Sequence, residues 1–395
     1  MLGSIPHPIA LAPLAGGPST PELTAAVVDA GGFGFLAAGY LSADELRTRI
    51  ARTRALTTGP FGVNLFVPGQ PSSDRVAIQA YADRLAPEAA RLAVELGEPR
   101  FDDDEWDGKI AVLLEDLPAV VSFTFGCPSA ALIEVLREAG AEVWVTITTP
   151  EEAVAAQAAG TDVLLAQGTE AGGHRGTWRD DDPQIEGIGV LALVQLVRAR
   201  TTRPIVAAGG IATGAGIAAV LAAGAEAAAL GTAFLLCPEA GTSDVHRAAL
   251  AGTAPTALTR AFTGRLARGI RNRTIDELSA VAPSAYPEVH HLTAPLRQAA
   301  RSAGDPDLVN LWAGQAHPLT EARPAAEIVA RLVPPARGRT GRPELKGQPP
   351  AGGRKYMAEA GMATSTANTS SISALWARSW RASGMPIHRP QWART

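Results

Sequence analysis

The sequence predicts an α/β protein: a (β/α)8 TIM barrel with a helical lid domain inserted after the eighth strand and a disordered C-terminal tail. Three observations lead to this prediction. Eight short apolar runs alternate with helical segments, and glycines cluster where the last three runs end. The chain also has 395 residues, 46% of them hydrophobic, which is ample material for a large core. Strands that are each followed by a helix are typical of a parallel barrel.

The eight predicted strands are short, apolar and usually stopped by a glycine or a polar residue, as expected for strands buried on both faces. They cover residues 9–15, 33–39, 61–66, 119–126, 142–148, 162–168, 204–210 and 227–234. Helix start signals lie between them, such as Ser42 with Glu45 three residues later, which resembles a capping box. The alternative is an open doubly wound sheet. Its GxGxxG signature is missing after the first strand, where residues 15–18 read AGGP.

Two segments are longer than a barrel needs. The predicted barrel spans residues 1–234 and includes a helical insertion at about 67–118. Residues 235–323 are predicted to form a mostly helical lid or substrate domain, because segments after the C-terminal ends of barrel strands lie above the active site. We expect a last helix, at 324–334, to pack back onto the barrel.

The net charge of −4 is unevenly distributed. Residues 335–395 contain ten Lys or Arg and two Asp or Glu, a balance of +8, so residues 1–334 carry −12. An acidic folded part argues against a nucleic-acid partner. The basic tail is rich in Gly, Pro, Ser, Thr and Arg and lacks an apolar period, which predicts disorder.

The sequence also predicts no membrane partner and a cytoplasmic location. It has no run of about 18 apolar residues, which a membrane span needs. Its first residues lack the charged and apolar regions of a signal peptide. Two cysteines, Cys127 and Cys237, are too few for a disulfide framework, and we expect both to pack in apolar surroundings.

Glycine-rich corners at the ends of the last three predicted strands indicate where a cofactor binds. They include Gly172, Gly173, Gly209, Gly210 and Gly231. Glycine lets the backbone approach a ligand closely, and a helix N-terminus offers unpaired N–H groups to a phosphate. The loops after strands seven and eight are the usual phosphate site of these barrels, so we expect a phosphorylated cofactor. The alternative is that these glycines only close the corners of the barrel.

The strings LAPLAGGPST, FGVNLF, VSFTFGCP, AQGTEAGGHRG, PIVAAGGIATG and LGTAF, in this order, resemble the nitronate monooxygenase family, formerly called 2-nitropropane dioxygenases. The strings YPEVHHLTAPLRQAARSAGD and LWAGQ resemble it as well. The resemblance implies a TIM barrel with one FMN under a helical domain. It implies oxidation of alkyl nitronates, such as propionate 3-nitronate, with O2, by a monomer or homodimer.

The resemblance also implies which residues bind FMN. Asn64 and Gln167 match side chains that contact the flavin ring, and Gly210 matches backbone that holds the phosphate. Leu14 stands where the family commonly has Met, a swap that conserves volume. The full implied set is Ala12, Pro13, Leu14, Asn64, Gln167, Gly172, Gly173, Gly209, Gly210, Ala229, Leu230, Gly231 and Thr232.

His174 is the candidate catalytic residue, because an imidazole can remove or hold a proton beside a carbanion-like substrate. The alternative is an ordinary loop histidine. Tyr286, in the lid, is a candidate substrate contact, and Glu170 either orients His174 or caps the next loop. The remaining histidines match no metal-ligand spacing, so no metal is predicted.

Two other functions remain open at this point. An FMN-dependent NAD(P)H reductase of the enoyl-acyl-carrier-protein or quinone type shares the barrel, the glycines and a comparable histidine loop. A flavin-binding protein without turnover is the other alternative, although the intact His174 loop argues against it.

Overall fold

The computed structural model describes residues 1–180 and 187–333. The predicted disordered tail lies outside these residues.

Eight parallel strands form a nearly closed barrel, which confirms the predicted fold class. Each predicted run contains one of them. The strands of the described chain are β1 (Ile9–Leu11), β2 (Gly34–Ala37), β3 (Phe61–Phe66), β4 (Val120–Thr124), β5 (Glu142–Ile147), β6 (Val163–Gln167), β7 (Gly173–His174), β8 (Ile205–Ala208), β9 (Ala227–Leu230), β10 (Thr256–Thr259) and β11 (Ala267–Ile270). The order of the barrel strands is β1-β9-β8-β6-β5-β4-β3-β2, and a parallel bridge between Ala10 and Phe33 joins β1 to the start of β2.

Helices connect the strands, and their ends agree with the signals in the sequence. The Ser42 hydroxyl accepts a hydrogen bond from the Glu45 N–H, while the Glu45 side chain accepts one from the Ser42 N–H, so the predicted capping box forms. The helices are α1 (Pro21–Asp29), α2 (Ala43–Leu56), α3 (Arg75–Arg91), α4 (Trp106–Glu115), α5 (Ala130–Ala139), α6 (Pro150–Ala159), α7 (Val190–Arg198), α8 (Gly214–Ala222), α9 (Asp244–Leu250), α10 (Arg273–Leu278), α11 (Glu288–Ala303) and α12 (Ala325–Leu332).

The interior of the barrel is filled at one end and open at the other. Phe33, Phe35 and Trp144, at the N-terminal ends of their strands, pack ring against ring with centroids 5.1 to 5.5 Å apart. At the C-terminal ends the inward positions hold small side chains, such as Ala208 and Ala229. Because side chains alternate between the two faces of a strand, these small residues leave space above the aromatic layer.

The segment 235–323 contains a β-hairpin that the sequence analysis did not predict. Strands β10 and β11 pair antiparallel, and β11 also pairs with β7, which places Ala267 opposite His174. The prediction of a mostly helical segment missed them because each strand has only four residues and no apolar alternation. The division into barrel and lid domains stays a prediction.

Three helices outside the barrel repeat pack into two apolar clusters. Helices α3 and α11 share an apolar cluster that includes Ile78, Tyr81 and Leu292. The buried side chains of α12, among them Ile328 and Val329, join the apolar cluster between the barrel strands and helices. In the part of the chain that the structure describes, no helix has the length and hydropathy that a bilayer span requires.

Candidate active site

A cavity of about 530 Å3 lies at the C-terminal ends of the barrel strands. The residues that line it are far apart in the sequence. His174 lines it, and so do all residues that the sequence predicted to bind FMN: Ala12, Pro13, Leu14, Asn64, Gln167, Gly172, Gly173, Gly209, Gly210, Ala229, Leu230, Gly231 and Thr232. The structure therefore brings the predicted positions together in one site.

The glycines of this cavity are required by their backbone geometry. Gly209 and Gly210 have φ angles of 118° and 66°, which side-chain-bearing residues rarely adopt. A Cβ atom at Gly172 would lie 2.4 Å from the carbonyl carbon of Ala313, so no larger residue fits there without moving the backbone. The corners therefore bring main chain, not side chains, up to the cavity.

Thr232 is prepared to donate a hydrogen bond into the cavity. It begins a short 3-10 helix, Thr232–Phe234, just after β9. Its hydroxyl oxygen accepts a hydrogen bond from the Gly314 N–H at 3.0 Å, which leaves the hydroxyl hydrogen for a ligand.

Asn64 and Gln167 are both held in place by hydrogen bonds to protein. The Asn64 amide donates to the hydroxyls of Ser122 at 2.9 Å and Thr124 at 3.0 Å. Its oxygen is left to accept from a ligand. The Gln167 oxygen accepts from the Gly176 N–H, and its amide donates to the His174 carbonyl at 3.0 Å. One amide hydrogen of Gln167 remains, so this side chain mainly orders the loop that carries His174.

His174 faces the cavity from the short strand β7. Its Nε2 atom lies 2.9 Å from the hydroxyl oxygen of Thr263 in the β10–β11 turn. The rings of Phe125, Tyr286 and Trp312 surround it, with centroids 5.6 to 5.7 Å from the imidazole. Burial in this apolar setting, assisted by positive charges on nearby arginines, lowers its pKa to about 3. The imidazole is therefore neutral at physiological pH and has a nitrogen that can accept a proton.

Tyr286 lies behind His174 and not among the residues that line the cavity. Its hydroxyl donates a hydrogen bond to the hydroxyl of Tyr40 at 3.2 Å. The Tyr40 ring in turn stacks on the imidazole of His290, with centroids 4.1 Å apart and an interplanar angle of 1°. Burial raises the pKa of Tyr40 to about 12, so both tyrosines stay protonated. The role of Tyr286 as a substrate contact stays a prediction.

Two ambiguities of the sequence are decided by geometry. Both carboxylate oxygens of Glu170 accept from the Val190 N–H at 3.0 Å, so Glu170 caps the start of α7 and does not orient His174. Burial raises the pKa of the Cys127 thiol to about 11. That thiol is protonated at neutral pH and fits the predicted packing role.

Several residues in the cavity wall or next to it had no signal in the sequence. Thr263 was missed because its contact with His174 depends on the unpredicted hairpin. Arg297 and Arg301, on α11, line the cavity, although nothing in the pattern of that helix indicated which face it turns inward. Trp312 lies in the LWAGQ string, which pointed to the family but to no role.

Comparisons with known proteins identify the family of this chain. A family model described as nitronate monooxygenase matches residues 2–335. A nitronate monooxygenase of Pseudomonas aeruginosa is 43% identical over 347 residues, which cover 85% of this chain and 97% of the relative. A crystal structure of nitroalkane oxidase from Streptomyces ansochromogenes is 52% identical with a TM-score of 0.82, covering 84% of this chain and 96% of that one.

A second solved structure is more distant. FabK from Thermotoga maritima is 27% identical with a TM-score of 0.65, covering 84% of this chain and 93% of that one. The family model and the relative from Pseudomonas aeruginosa carry the same family name, and the family model covers residues 2–335. The chain belongs to the nitronate monooxygenase family.

Proposed function

We propose that this protein oxidises alkyl nitronates, propionate 3-nitronate among them, with O2 and uses FMN as its cofactor. The observation that carries the proposal is the position of His174. It is a neutral imidazole beside aromatic rings, and it lines the same cavity as the glycine corners that suit a phosphorylated cofactor. Family membership supports the same activity.

The residues of the cavity fit FMN. At the corner after β8, Gly209 and Gly210 bring backbone close to the cavity, and the Thr232 hydroxyl adds a donor for phosphate. A Cβ atom at Gly173 would meet no protein atom within 4 Å, so the loop leaves space on its open side. The Asn64 oxygen offers an acceptor to a ring N–H. When bound, FMN would supply the acceptor for electrons from the nitronate and their transfer to O2.

His174 would act on the substrate proton. A neutral nitroalkane must lose an α-proton to become a nitronate, and the unprotonated imidazole can take it. The imidazolium that results would be stabilised by the nitronate anion formed beside it, which offsets the burial that disfavours its charge. For a preformed nitronate, the imidazole has only to hold the anion in place.

The surrounding rings keep this chemistry dry. Phe125, Tyr286 and Trp312 cover the imidazole on three sides, and Arg265 lies 3.8 Å above the Phe125 ring. Exclusion of water strengthens hydrogen bonds to an anionic substrate in such a pocket. We also propose a cytoplasmic enzyme that works as a monomer or homodimer.

The experiment that tests the proposal compares two kinds of turnover in the purified protein. We expect O2 consumption with propionate 3-nitronate and little oxidation of NADH or NADPH with quinone or enoyl-thioester acceptors. The opposite result would favour a reductase. Mass spectrometry of heat-released cofactor should find FMN; FAD or no flavin would contradict the cofactor. An unchanged flavin spectrum after anaerobic addition of the nitronate would indicate binding without turnover.

A further inference from the structure

Two arginines of helix α11 converge on one acceptor in the cavity wall. Arg297 and Arg301 are one helical turn apart, and both donate to the side-chain oxygen of Asn310, at 3.3 and 3.4 Å. All three residues line the cavity that holds His174. Arg297 is near enough to His174 for its charge to contribute to the lowered pKa of that imidazole.

The charge of this pair has no counter-ion in the described protein. Within residues 1–180 and 187–333, no carboxylate oxygen lies within 4.0 Å of the Arg297 or Arg301 guanidinium. Arg297 is only 6% exposed, and burial lowers its pKa to about 10, so it stays protonated at neutral pH. A buried cation without a partner destabilises a fold, which makes its presence informative.

Other buried arginines differ from this pair. Arg175 donates to the backbone carbonyls of Gln167 and Gly168, and Arg265 donates to the carbonyl of Arg175. Neither arginine lines the cavity. Their guanidinium groups therefore hold the backbone of these loops in place. Within the described residues, Arg297 combines burial and a missing counter-ion with access to the cavity, and the half-buried Arg301 lies beside it on α11.

Both guanidinium groups have donors left for a ligand. An arginine has five N–H donors. Arg297 directs four of them to Thr293, Asn310 and the ring nitrogen and carbonyl of His290, which leaves one on Nη1. Arg301 binds Asn310 and Gln298 with three, which leaves two. Guanidinium donors in this arrangement suit an oxyanion.

We propose that Arg297 and Arg301, oriented by Asn310, bind an oxyanion on the substrate, namely a carboxylate remote from the carbon that reacts near His174. This rests on the proposed function, because it places the substrate between His174 and α11. The site would make this chain selective for acidic nitronates over those with uncharged tails. A phosphate group has the same charge chemistry and is separated from a carboxylate by the test.

The first test measures binding without turnover. Succinate is titrated into the flavin-loaded full chain, and its binding is measured from the flavin difference spectrum and from the rise in melting temperature. Arg297→Gln and Arg301→Gln should each weaken succinate binding roughly 10- to 100-fold, the range of a charged hydrogen bond. The matched control is Arg271→Gln, which removes one positive charge from an exposed pair with Asp276 and should change nothing. Equal weakening in the control, or none in the two variants, would overturn the site.

The second test is kinetic. Arg297→Gln should raise KM for propionate 3-nitronate by a similar factor and leave KM for propyl 1-nitronate within about threefold, while Arg297→Lys recovers part of the loss. Equal rises for both substrates would overturn the assignment to a carboxylate. So would loss of flavin from Arg297→Gln, or binding of inorganic phosphate but not succinate. If no nitronate is oxidised, the proposed function fails, and the succinate titration still decides the site.

Discussion

The Nε2 atom of His174 and the hydroxyl oxygen of Thr263 are 2.9 Å apart, and the two residues belong to different parts of the fold. His174 follows a barrel strand, whereas Thr263 lies in the turn of the lid hairpin. The main-chain pairing of β7 with β11 holds the two segments in register. The pairing of β11 with β7 and the orientation of the imidazole therefore depend on each other.

Replacement of Thr263 tests this relationship. Thr263→Val keeps the shape but removes the hydroxyl, so the imidazole loses the partner that fixes its orientation. We expect kcat/KM for nitronates to fall roughly tenfold, the value of one hydrogen bond, with melting temperature little changed. Thr263→Ser should retain most activity. Equal losses in Val and Ser would indicate that packing of the methyl group matters instead.

His174→Ala should reduce oxidation of neutral nitroalkanes more than oxidation of preformed nitronates. A positioned general base contributes about 10²- to 10⁴-fold to proton removal, and a nitronate has already lost its proton. The measurement is kcat/KM for both ionisation states of one nitroalkane at constant FMN occupancy. Similar losses for the two states would rule out His174 as the base. If the parent accepts nitronates only, the comparison reduces to the positioning effect.

His246 should make the fold less stable in acid. Burial lowers its pKa to about 4, and its ring nitrogen contacts the Trp312 carbonyl at 2.9 Å. Because the unfolded chain binds a proton near pH 6.5 and the folded chain does not, stability falls as pH decreases from about 6.5 towards 4. The effect is of order 3 kcal/mol. Denaturant unfolding at pH 7 and 4.5 should show a smaller pH difference in His246→Gln; an unchanged difference would contradict the assignment.

Gly172→Ala should lower both flavin content and stability. The added Cβ atom would meet the backbone of Ala313 and Gly314 at 2.4 Å, so the β6 loop or the 310–314 segment must move. We expect a loss of about 1 to 3 kcal/mol and a reduced flavin-to-protein ratio. Gly69→Ala is the control, since a Cβ atom there meets nothing within 4 Å. Full flavin content in Gly172→Ala would show that the loop tolerates the shift.

The parts of the site that sequence could predict are those fixed by local pattern. Gly210 and Thr232 follow short apolar strands, and the ends of parallel strands must meet at one face of a barrel. Thr263 and Arg297 could not be found in this way. Their positions depend on pairing or packing with segments far along the chain, and neither lies at the end of a barrel strand.

Helix α11 shows the same limit. The sequence predicted a mostly helical segment at 235–323 but not which residues face the cavity, since α11 also packs on α3 and must bury two sides. The Tyr40 ring stacks on His290 only because the loop after β2 and helix α11 meet above the barrel. Neither Tyr40 nor His290 could be recognised as part of this contact from its position in the sequence.

The aromatic layer of Phe33, Phe35 and Trp144 separates the end of the barrel that determines stability from the end that determines which substrate binds. Substitutions at that end alter the free energy of unfolding while the chemical end keeps its shape. Substitutions among the cavity-facing side chains at the other end can change which molecule is accepted, but the glycine corners there are needed for the fold as well, as Gly172 shows. An engineer could therefore vary the cavity-facing side chains of α11 for new substrates, and keep a stable host by leaving the three rings and the glycine corners untouched.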